Sequence, residues 1–325
     1  MPYSVRADDF QGIQDEWQKL LPSCSTDTIF VTPWWQSLWW RHFGEGSELH
    51  ILSVRDGDEI IGIAPLMLRD GAFSFLGDSD LFDYHDFLIL RGREPDFFDA
   101  ILDYLLDLDW HVLALVSLPQ ASPTLSHLPA LVEKRGLVAE VKAEDMAPVA
   151  FLPSLWEEYL AGLSKRDRHE LRRKLRRLEK ADTPRQYVCE NPATLPECMG
   201  EFFRLLRASS PEKATFLTAE RQSFFIDVAL ELTPRGQFRL YFLELNGIRV
   251  ASCICFDYGD SYLLYNSGYD PDYSSLSVGL LNKALCLREA IERGKHSFEF
   301  LRGTERYKYD LGATDQAIYQ LVVRR

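Results

Sequence analysis

The sequence has few of the features that mark membrane-spanning, secreted or metal-binding proteins. Its 325 residues contain six cysteines with no Cys-x-x-Cys pair, which argues against a disulfide scaffold. No apolar run reaches the length of a spanning helix, about 18 residues, and the first residues lack the basic and apolar regions of a secretory signal. The histidines are scattered, without metal-ligand spacing. We therefore expect a reduced, soluble, cytoplasmic protein without a metal.

Positive charge is scarce except in one short segment. The chain has 36 Lys and Arg against 49 Asp and Glu, a net charge of −13, so it lacks the broad basic face that duplex DNA requires. Residues 164–180 are the exception, with 9 basic and 3 acidic residues. Leu171, Leu175 and Leu178 give this segment an apolar stripe at helical spacing. We expect a basic helix that is either a solvated linker or a surface for phosphates, RNA or an anionic membrane.

The same order of elements occurs twice in an otherwise ordinary globular composition. Alternating apolar residues and turn signals predict three antiparallel strands in each half, followed by a helix and a further strand. The matching stretches are Leu49–Arg55, Ile60–Leu68 and Phe73–Leu76 in the first half, and Phe238–Leu245, Ile248–Phe256 and Tyr262–Tyr265 in the second. Unrelated hairpins in two α/β domains would also give this order. We predict a mixed α/β fold of two tandem lobes, 1–153 and 154–325, with a basic linker helix at 164–180.

The segment from Ser261 to Gly294 is the most informative for function. A tyrosine-rich strand, a loop of small residues and a long apolar helix follow one another. Backbone N–H groups at such a helix start, together with the helix dipole, bind anions. Gly279 would let a phosphate approach closely, and Ser275 and Ser277 could add hydroxyl donors. Ser277 is equally well explained as an ordinary helix cap.

Several motifs together resemble one enzyme superfamily over residues 30 to 322. The C-terminal motif Phe-Leu-Arg-Gly-Thr-Glu-Arg-Tyr-Lys-Tyr-Asp-Leu-Gly ends at Gly312, and Asp-Tyr-His-Asp spans 83–86. Along with the Ser-rich loop and the basic helix, they resemble GNAT acyltransferases of the CelD/BioF2-like branch. That branch carries two GNAT lobes in tandem and is related to the FemAB peptidyltransferases. The usual GNAT loop, Gln/Arg-x-x-Gly-x-Gly/Ala, is incomplete, since Tyr-Ser-Ser-Leu-Ser-Val-Gly stands in its place.

The resemblance implies a donor site in the second lobe, with a degenerate first lobe forming one wall of the acceptor cleft. Glu305 or Asp310 would be the base, Tyr307 the acid, and Lys308 an oxyanion or substrate-anion ligand, while His85 and Asp86 are further catalytic candidates. The residues expected to bind the donor are Asn266, Ser267, Gly268, Ser275, Ser277, Val278 and Gly279. Those expected to bind the acceptor are Asp83, Tyr84, Tyr269 and Arg302. Cys253, Cys255 and Cys286 are interpreted as small buried hydrophobic residues, so direct transfer is favoured over a covalent enzyme.

The implied activity is transfer of an acetyl or other acyl group from acyl-CoA to nitrogen or oxygen. The acceptor would be a sugar, amino sugar or peptide of the cell envelope or an exopolysaccharide pathway. A FemAB-type peptidyltransferase using aminoacyl-tRNA is the first alternative, and the basic helix is its main support. An inactive scaffold that binds a carbohydrate or a protein partner is the second. Peripheral membrane contact through the basic helix would be compatible with any of these.

Overall fold

The computed structural model describes residues 3–181 and 183–325. The chain forms two compact units, one running to Met146 and including Gln316–Arg325, the other Ala147–Asp315. This division differs from the predicted lobes 1–153 and 154–325, because the C-terminal segment belongs to the first unit. Within the described residues, no helix combines the length and the apolar character needed to cross a bilayer.

The first unit is built on a mixed sheet covered by helices. Its elements are β1 (Tyr3–Asp8), α1 (Phe10–Leu20), α2 (Pro33–Phe43), β2 (Glu48–Asp56), β3 (Glu59–Arg69), β4 (Ala72–Phe75), β5 (Leu88–Ile89), α3 (Glu94–Leu106), β6 (Val112–Pro119), α4 (Pro123–Lys134), β7 (Val138–Met146) and β14 (Ala317–Arg324). The strand order is β1-β2-β3-β4-β6-β14-β7, and β5 pairs with β3. Strands β2, β3 and β4 are antiparallel, whereas β6 is parallel to β4.

Local sequence explains how these elements start and stop. Helix α2 begins after Thr32, whose side chain accepts from the Trp35 N–H, and Pro33 stands at its first position, as helix starts favour. Trp34, Trp35 and Trp39 are buried, so this helix contributes three large side chains to the interior of the first unit. The turn between β2 and β3 contains Gly57 at φ 61°, a conformation that glycine adopts without steric cost.

The second unit repeats the central arrangement of the first. Its elements are β8 (Val149–Phe151), α5 (Trp156–Gly162), α6 (Lys165–Glu179), β9 (Arg185–Cys189), α7 (Leu195–Ser209), α8 (Pro211–Phe216), α9 (Ala219–Leu232), β10 (Phe238–Leu245), β11 (Ile248–Tyr258), β12 (Ser261–Tyr269), α10 (Val278–Glu292), β13 (Ser297–Glu299) and α11 (Arg306–Asp310). The sheet order is β8-β13-β12-β11-β10-β9. Strands β10, β11 and β12 are antiparallel, and α10 leads to β13, which is parallel to β12. The prediction of two lobes with mostly antiparallel sheets is confirmed.

Strand β14 accounts for the difference in the boundaries of the units. It lies between β6 and β7 and pairs antiparallel with both, and its residues Ile318, Leu321 and Val323 are buried. The apolar pattern at 317–323 predicts the strand correctly. Its partners are about 170 to 210 residues away along the chain, and the local sequence carries no signal of that register.

One pair of cysteines forms a disulfide, although the sequence predicted that all of them are reduced. Cys189, at the end of β9, and Cys198, in the first half of α7, form a disulfide across a Cα–Cα distance of 6.7 Å. Cys24, Cys253, Cys255 and Cys286 are free and buried. The pair is nine positions apart, and the chain turns between β9 and α7 to bring the two residues together. The spacing alone does not indicate this.

Candidate functional site

Strand β12 changes its pairing midway, at the residues predicted to bind the donor. On one edge it pairs with β11, where Ile254 faces Asn266 and Cys255 faces Leu264, so Tyr265 is an extra residue in the ladder. On the other edge it pairs with β13 only from Ser261 to Leu263. Beyond Leu263 the edge of β12 is no longer paired with β13. A bulge beside an unpaired strand edge is a common feature of active sites, and the predicted residues Asn266, Ser267 and Gly268 lie on this stretch.

The start of α10 adds a second polar surface next to this strand. Ser277 precedes the helix in the left-handed conformation, with φ 59° and ψ 35°, and makes no side-chain capping bond. Ser277 therefore stands at the cap position but does not make the side-chain hydrogen bond of an ordinary serine cap. The Leu281 N–H donates to the Ser277 carbonyl at 3.0 Å, so the preceding amides, Val278 to Leu280, lie in the first turn, where N–H groups have no intrahelical acceptor. Arg177 of α6 donates to Ser277 Oγ at 3.3 Å.

A cavity of about 240 Å³ lies at this helix start. It is lined by Tyr269, Ser274, Ser277, Val278, Gly279, Leu280, Lys283 and Tyr307. The structure thus brings together five of the predicted residues, while Ser275 is exposed and outside the lining. A Cβ on Gly279 would lie 3.0 Å from Cδ1 of Tyr269. A larger side chain at 279 would consequently collide with the Tyr269 ring in the wall of the cavity.

Tyr307 places a phenol on the cavity wall. Its ring packs edge-on against Phe300 at 6.1 Å between centroids, and the ammonium of Lys283 lies 4.7 Å from the ring centroid. Burial, and next the charge of Glu305, raises the pKa of the Tyr307 hydroxyl well above its usual value. The hydroxyl therefore keeps its proton at neutral pH, as a proton donor to a leaving group must.

Lys308 was predicted as an anion ligand, but its ammonium group already binds other groups of the protein. Its ammonium donates to the carbonyls of Leu301, Arg302 and Gly303 at 3.0, 2.7 and 2.9 Å. It also pairs with Glu305 Oε2 at 2.9 Å. Lys308 is buried and the Glu305 side chain is exposed. These contacts favour a structural role for Lys308 in holding the turn after β13, where Leu301 has φ 57°.

The Asp-Tyr-His-Asp segment lies in the first unit and is mostly inside it. Tyr84, His85 and Asp86 are buried, while Asp83 is partly exposed, so most of the segment is shielded from solvent. The His85 ring stacks on Phe82 at 4.4 Å and on Phe75 at 5.5 Å.

Asp86 is a hydrogen-bonding centre of the first unit. Its carboxylate accepts from Thr26 Oγ1 at 3.0 Å, from the Phe87 N–H at 2.9 Å and from the Thr124 hydroxyl. Burial raises the pKa of Asp86 to about 6, although these hydrogen bonds oppose the rise. Asp86 thus ties together three separate segments of the first unit.

Two lysines of the second unit, the buried Lys283 and the partly exposed Lys213, were missed by sequence reasoning. Lys213 of α8 donates to the Ser267 carbonyl, and Lys283 of α10 donates to the Gly279 carbonyl at 3.2 Å. Burial, followed by the charge of Lys283, lowers the pKa of Lys213 to about 8. A lone lysine inside the apolar run from Val278 to Cys286 was a usable signal for Lys283. Lys213 carries no such signal, because α8 reaches β12 only through the tertiary fold.

The second unit resembles a known domain family. Residues 165–309 match the family described as the acetyltransferase (GNAT) domain. The structure of FemX superposes with a TM-score of 0.65 and 11% identity over 98% of this chain and 96% of that chain. A tandem GNAT protein from the clavulanic acid biosynthesis pathway gives 0.50 and 12% over 98% of both chains.

A third solved structure is similar over nearly the full length. It is the C-terminal domain of a putative lysylphosphatidylglycerol synthetase from Agrobacterium fabrum, with a TM-score of 0.60 and 13% identity over 96% of this chain and 93% of that chain. No curated protein matches the chain in sequence. The chain therefore has the tandem GNAT fold related to FemAB proteins, as the sequence motifs suggested, and at these identities the likeness extends to the fold alone.

Proposed function

We propose that the second unit binds acyl-CoA and transfers its acyl group to an amine or hydroxyl. The observation that carries this proposal is the place where β12 loses its β13 partner, beside the bulge at Tyr265 and the start of α10. A free strand edge can hydrogen-bond an extended amide-containing arm such as pantetheine. The amides at the helix start are suited to the pyrophosphate. The GNAT match over 165–309 supports the same assignment.

Each step of direct transfer has a candidate group in this unit. Backbone N–H groups near Asn266 would polarise the thioester carbonyl and stabilise its developing negative charge. Tyr307 would protonate the departing thiolate, and Glu305 would accept the proton of the attacking nucleophile. The thiols of Cys253, Cys255 and Cys286 are buried, and burial raises their pKa. Since the thiolate is the nucleophilic form, this supports transfer without a covalent enzyme intermediate.

The acceptor that we propose is a sugar, an amino sugar or a peptide of the cell envelope or an exopolysaccharide. Asp83, Tyr84, Tyr269 and Arg302 remain the proposed acceptor contacts, with His85 and Asp86 as proposed catalytic groups of the first unit. This assignment depends on the CelD/BioF2-like resemblance of the motifs. It can be tested by screening acceptors for CoA release once donor binding has been measured.

Aminoacyl-tRNA is the second candidate donor, favoured by the position of α6. Arg177 of this basic helix contacts Ser277 at the start of α10, so a polyphosphate chain bound there would meet further positive charge. Several of its arginines are, however, paired with carboxylates, including Arg172 with Glu157 and Arg173 with Glu170. RNA binding through α6 would weaken steeply with salt, which separates it from CoA binding.

Calorimetric titration with acetyl-CoA tests the donor assignment. We expect saturable binding to the wild-type protein and its loss in Gly279→Trp, because the indole would collide with Tyr269 in the wall of the cavity that both residues line. Gly200→Trp is the matched control, since a Cβ at the exposed Gly200 meets nothing within 4 Å. Absence of binding by the wild type at millimolar acetyl-CoA would refute the proposal and leave aminoacyl-tRNA as the donor to examine.

Tyr307→Phe tests the chemistry separately from donor binding. The variant keeps the ring that packs on Phe300 and removes the hydroxyl. We expect kcat for thiol release from acetyl-CoA to fall by about 100-fold, within the range for loss of a general acid, while the dissociation constant of acetyl-CoA changes little. An unchanged kcat in both Tyr307→Phe and Glu305→Gln would remove the two residues from the chemistry, whereas absence of thiol release by the wild type with every acceptor class would support the inactive-scaffold alternative.

A further inference from the structure

Strand β7 forms an open edge of the sheet of the first unit. It is the last strand in the order β1-β2-β3-β4-β6-β14-β7, and among residues 3–181 and 183–325 its one strand partner is β14. Its pairing with β14 is regular from Val138 to Ala143, before the register shifts at Glu144. A strand edge of this kind presents a row of backbone N–H and C=O groups to which another chain can pair.

The side chains of this edge are open to solvent and partly apolar. Val138 is 65% exposed and Val141 is 42% exposed, and Lys142 and Ala143 are exposed as well. Ala139, two positions before Val141 and so on the same face of the strand, packs against the core of the unit. Val141 and Ala143 therefore continue the apolar face of the sheet beyond its covered part, which favours pairing of the edge with a further strand.

The sequence of the edge is complementary to itself. Residues 139–143 read Ala-Glu-Val-Lys-Ala. If a second copy pairs antiparallel with Val141 opposite Val141, Glu140 of each copy faces Lys142 of the other, and alanine faces alanine at both ends. One face of the strand pair is then apolar, and the other contains two pairs of opposite charge. Both kinds of cross-strand contact stabilise antiparallel strands.

The neighbouring registers lack this complementarity. Centring the strand pair on residue 140 would place Glu140 opposite Glu140, and centring it on residue 142 would place Lys142 opposite Lys142. Like charges that face each other directly destabilise a sheet. A two-fold axis between residues 141 and 142 would place Val141 opposite Lys142 and turn the apolar face of one copy to the polar side of the other. The charges thus specify one register.

The edge lysine does not oppose this pairing, as an isolated edge lysine would. Lys142 and Glu140 form an ion pair at 2.6 Å within one chain, and their side chains are 57% and 41% exposed. Ion pairs exposed in this way contribute little to stability, so this contact can be exchanged for the equivalent one across the two strands. Arg324 of β14 lies 3.5 Å from Glu140 and keeps a second positive charge beside the carboxylate.

We propose that the protein forms a two-fold symmetric dimer in which β7 pairs antiparallel with β7 of a second copy, centred on Val141. The sheets of the two first units become continuous, and the open edge of each copy is covered by that of the other. The contact is closed, because the same strand of both copies is used up. This dimer is independent of the assignment of acyl transfer to the second unit.

Sedimentation velocity over a series of protein concentrations tests the dimer. We expect the wild-type mass to approach twice the 37.5 kDa of one chain as the concentration rises. Glu140→Lys and Lys142→Glu should each raise the dissociation constant of the dimer by at least about tenfold, because either change creates two pairs of like charge. Glu59→Lys is the matched control. It makes the same change of charge at an exposed residue of β3, four strands away from β7, and should leave the dimer intact.

Mixing the two charge variants tests the register. The Glu140→Lys chain has lysine at both positions and the Lys142→Glu chain has glutamate at both, so every facing pair between them has opposite charge. We expect a heterodimer in the mixture, although each variant alone is monomeric. The double variant Glu140→Lys/Lys142→Glu should form the wild-type dimer again.

Oxidative cross-linking tests the position of the two-fold axis. Val141→Cys should form a disulfide between two copies, because directly opposed residues have Cβ atoms about 5 Å apart. Val138→Cys is the comparison on the same strand and should not cross-link, since the two copies of this residue would lie about 20 Å apart along the strands.

Thermal unfolding verifies that each variant is folded. A wild-type protein that stays monomeric up to about 0.1 mM would overturn the proposal and leave the β7 edge to a partner of different chemistry. A dimer that survives both charge reversals would overturn it as well, because the contact would then use another surface. The same holds if the two folded charge variants do not associate on mixing, or if Val138→Cys cross-links and Val141→Cys does not.

Discussion

Lys308 holds the turn between β13 and α11 through its ammonium group. Replacing it by methionine would leave the carbonyls of Leu301, Arg302 and Gly303 without their donor inside the protein. We expect the free energy of unfolding of Lys308→Met to fall by about 1–3 kcal/mol, the cost of unsatisfied buried groups. Urea denaturation measures this change.

The outcome separates the structural and catalytic interpretations of Lys308. Lys295→Met serves as a comparison at another partly buried lysine, whose ammonium donates to the Gly259 carbonyl at 2.7 Å. If Lys308→Met keeps wild-type stability and loses acyl transfer, the result would support the role of anion ligand that the sequence predicted for Lys308. Loss of stability with acetyl-CoA binding retained would assign the residue to the turn.

Asp86 gives the first unit a defined dependence on pH. Its pKa is about 6 in the folded protein against an ordinary 3.8, so the folded state keeps a proton that the unfolded state has lost. Folding is therefore disfavoured progressively as the pH rises from about 4 to 6, and the penalty stays constant above that range. We expect the wild type to lose up to about 3 kcal/mol relative to Asp86→Asn over this interval, at 1.36 kcal/mol per pKa unit.

Denaturation of both proteins between pH 4 and 7 measures this difference. Asp109→Asn, at an exposed aspartate of the same unit, controls for loss of a surface carboxylate. If the wild type instead gained stability relative to Asp86→Asn as the pH rises, the hydrogen bonds to Asp86 would outweigh the effect of burial. In that case Asp86 would be ionised throughout the range.

At the scale of elements, α7 lies unusually close to β12. A Cβ on Gly268 would be 2.4 Å from the backbone nitrogen of Leu206, so only glycine lets the helix approach the strand here. We expect Gly268→Ala to lower the free energy of unfolding by about 1–3 kcal/mol, as overpacking does. Gly200→Ala on the exposed face of α7 should instead be neutral or slightly stabilising. Equal stabilities of the two variants would show that α7 can move away freely.

The elements themselves were largely predictable, whereas their alignment was not. The helix at Pro33 and the turns at Asp56-Gly57 and Asn246-Gly247 have local signals, and the structure contains each of them. The bulge at Tyr265 depends on register between β11 and β12, which no residue pattern specifies. For the same reason the cavity residues Ser277, Gly279 and Tyr307 were predictable from local motifs, while Lys213 was found only through its contact with Ser267.

At the scale of the whole molecule, the order of the sheets makes the last residues necessary to the first unit. Strand β14 is an interior strand, hydrogen-bonded to β6 on one side and β7 on the other. Without it, both strands would expose unpaired backbone groups, and the buried Leu321 and Val323 would be missing from the core of this unit. A chain ending at Asp315 should therefore lose the folded first unit, although every residue of 1–146 is retained.

Limited proteolysis and thermal unfolding of the chain ending at Asp315 test this expectation, with removal of Arg325 alone as the control. We expect rapid cleavage within residues 1–146 and a protected fragment from the second unit, because β8 to β13 and their helices lie within Ala147–Asp315. Addition of a synthetic peptide of residues 316–325 should restore protection if pairing with β6 and β7 is the cause. Unchanged protection of residues 1–146 in the shortened chain would mean that β6 and β7 can close the sheet by themselves.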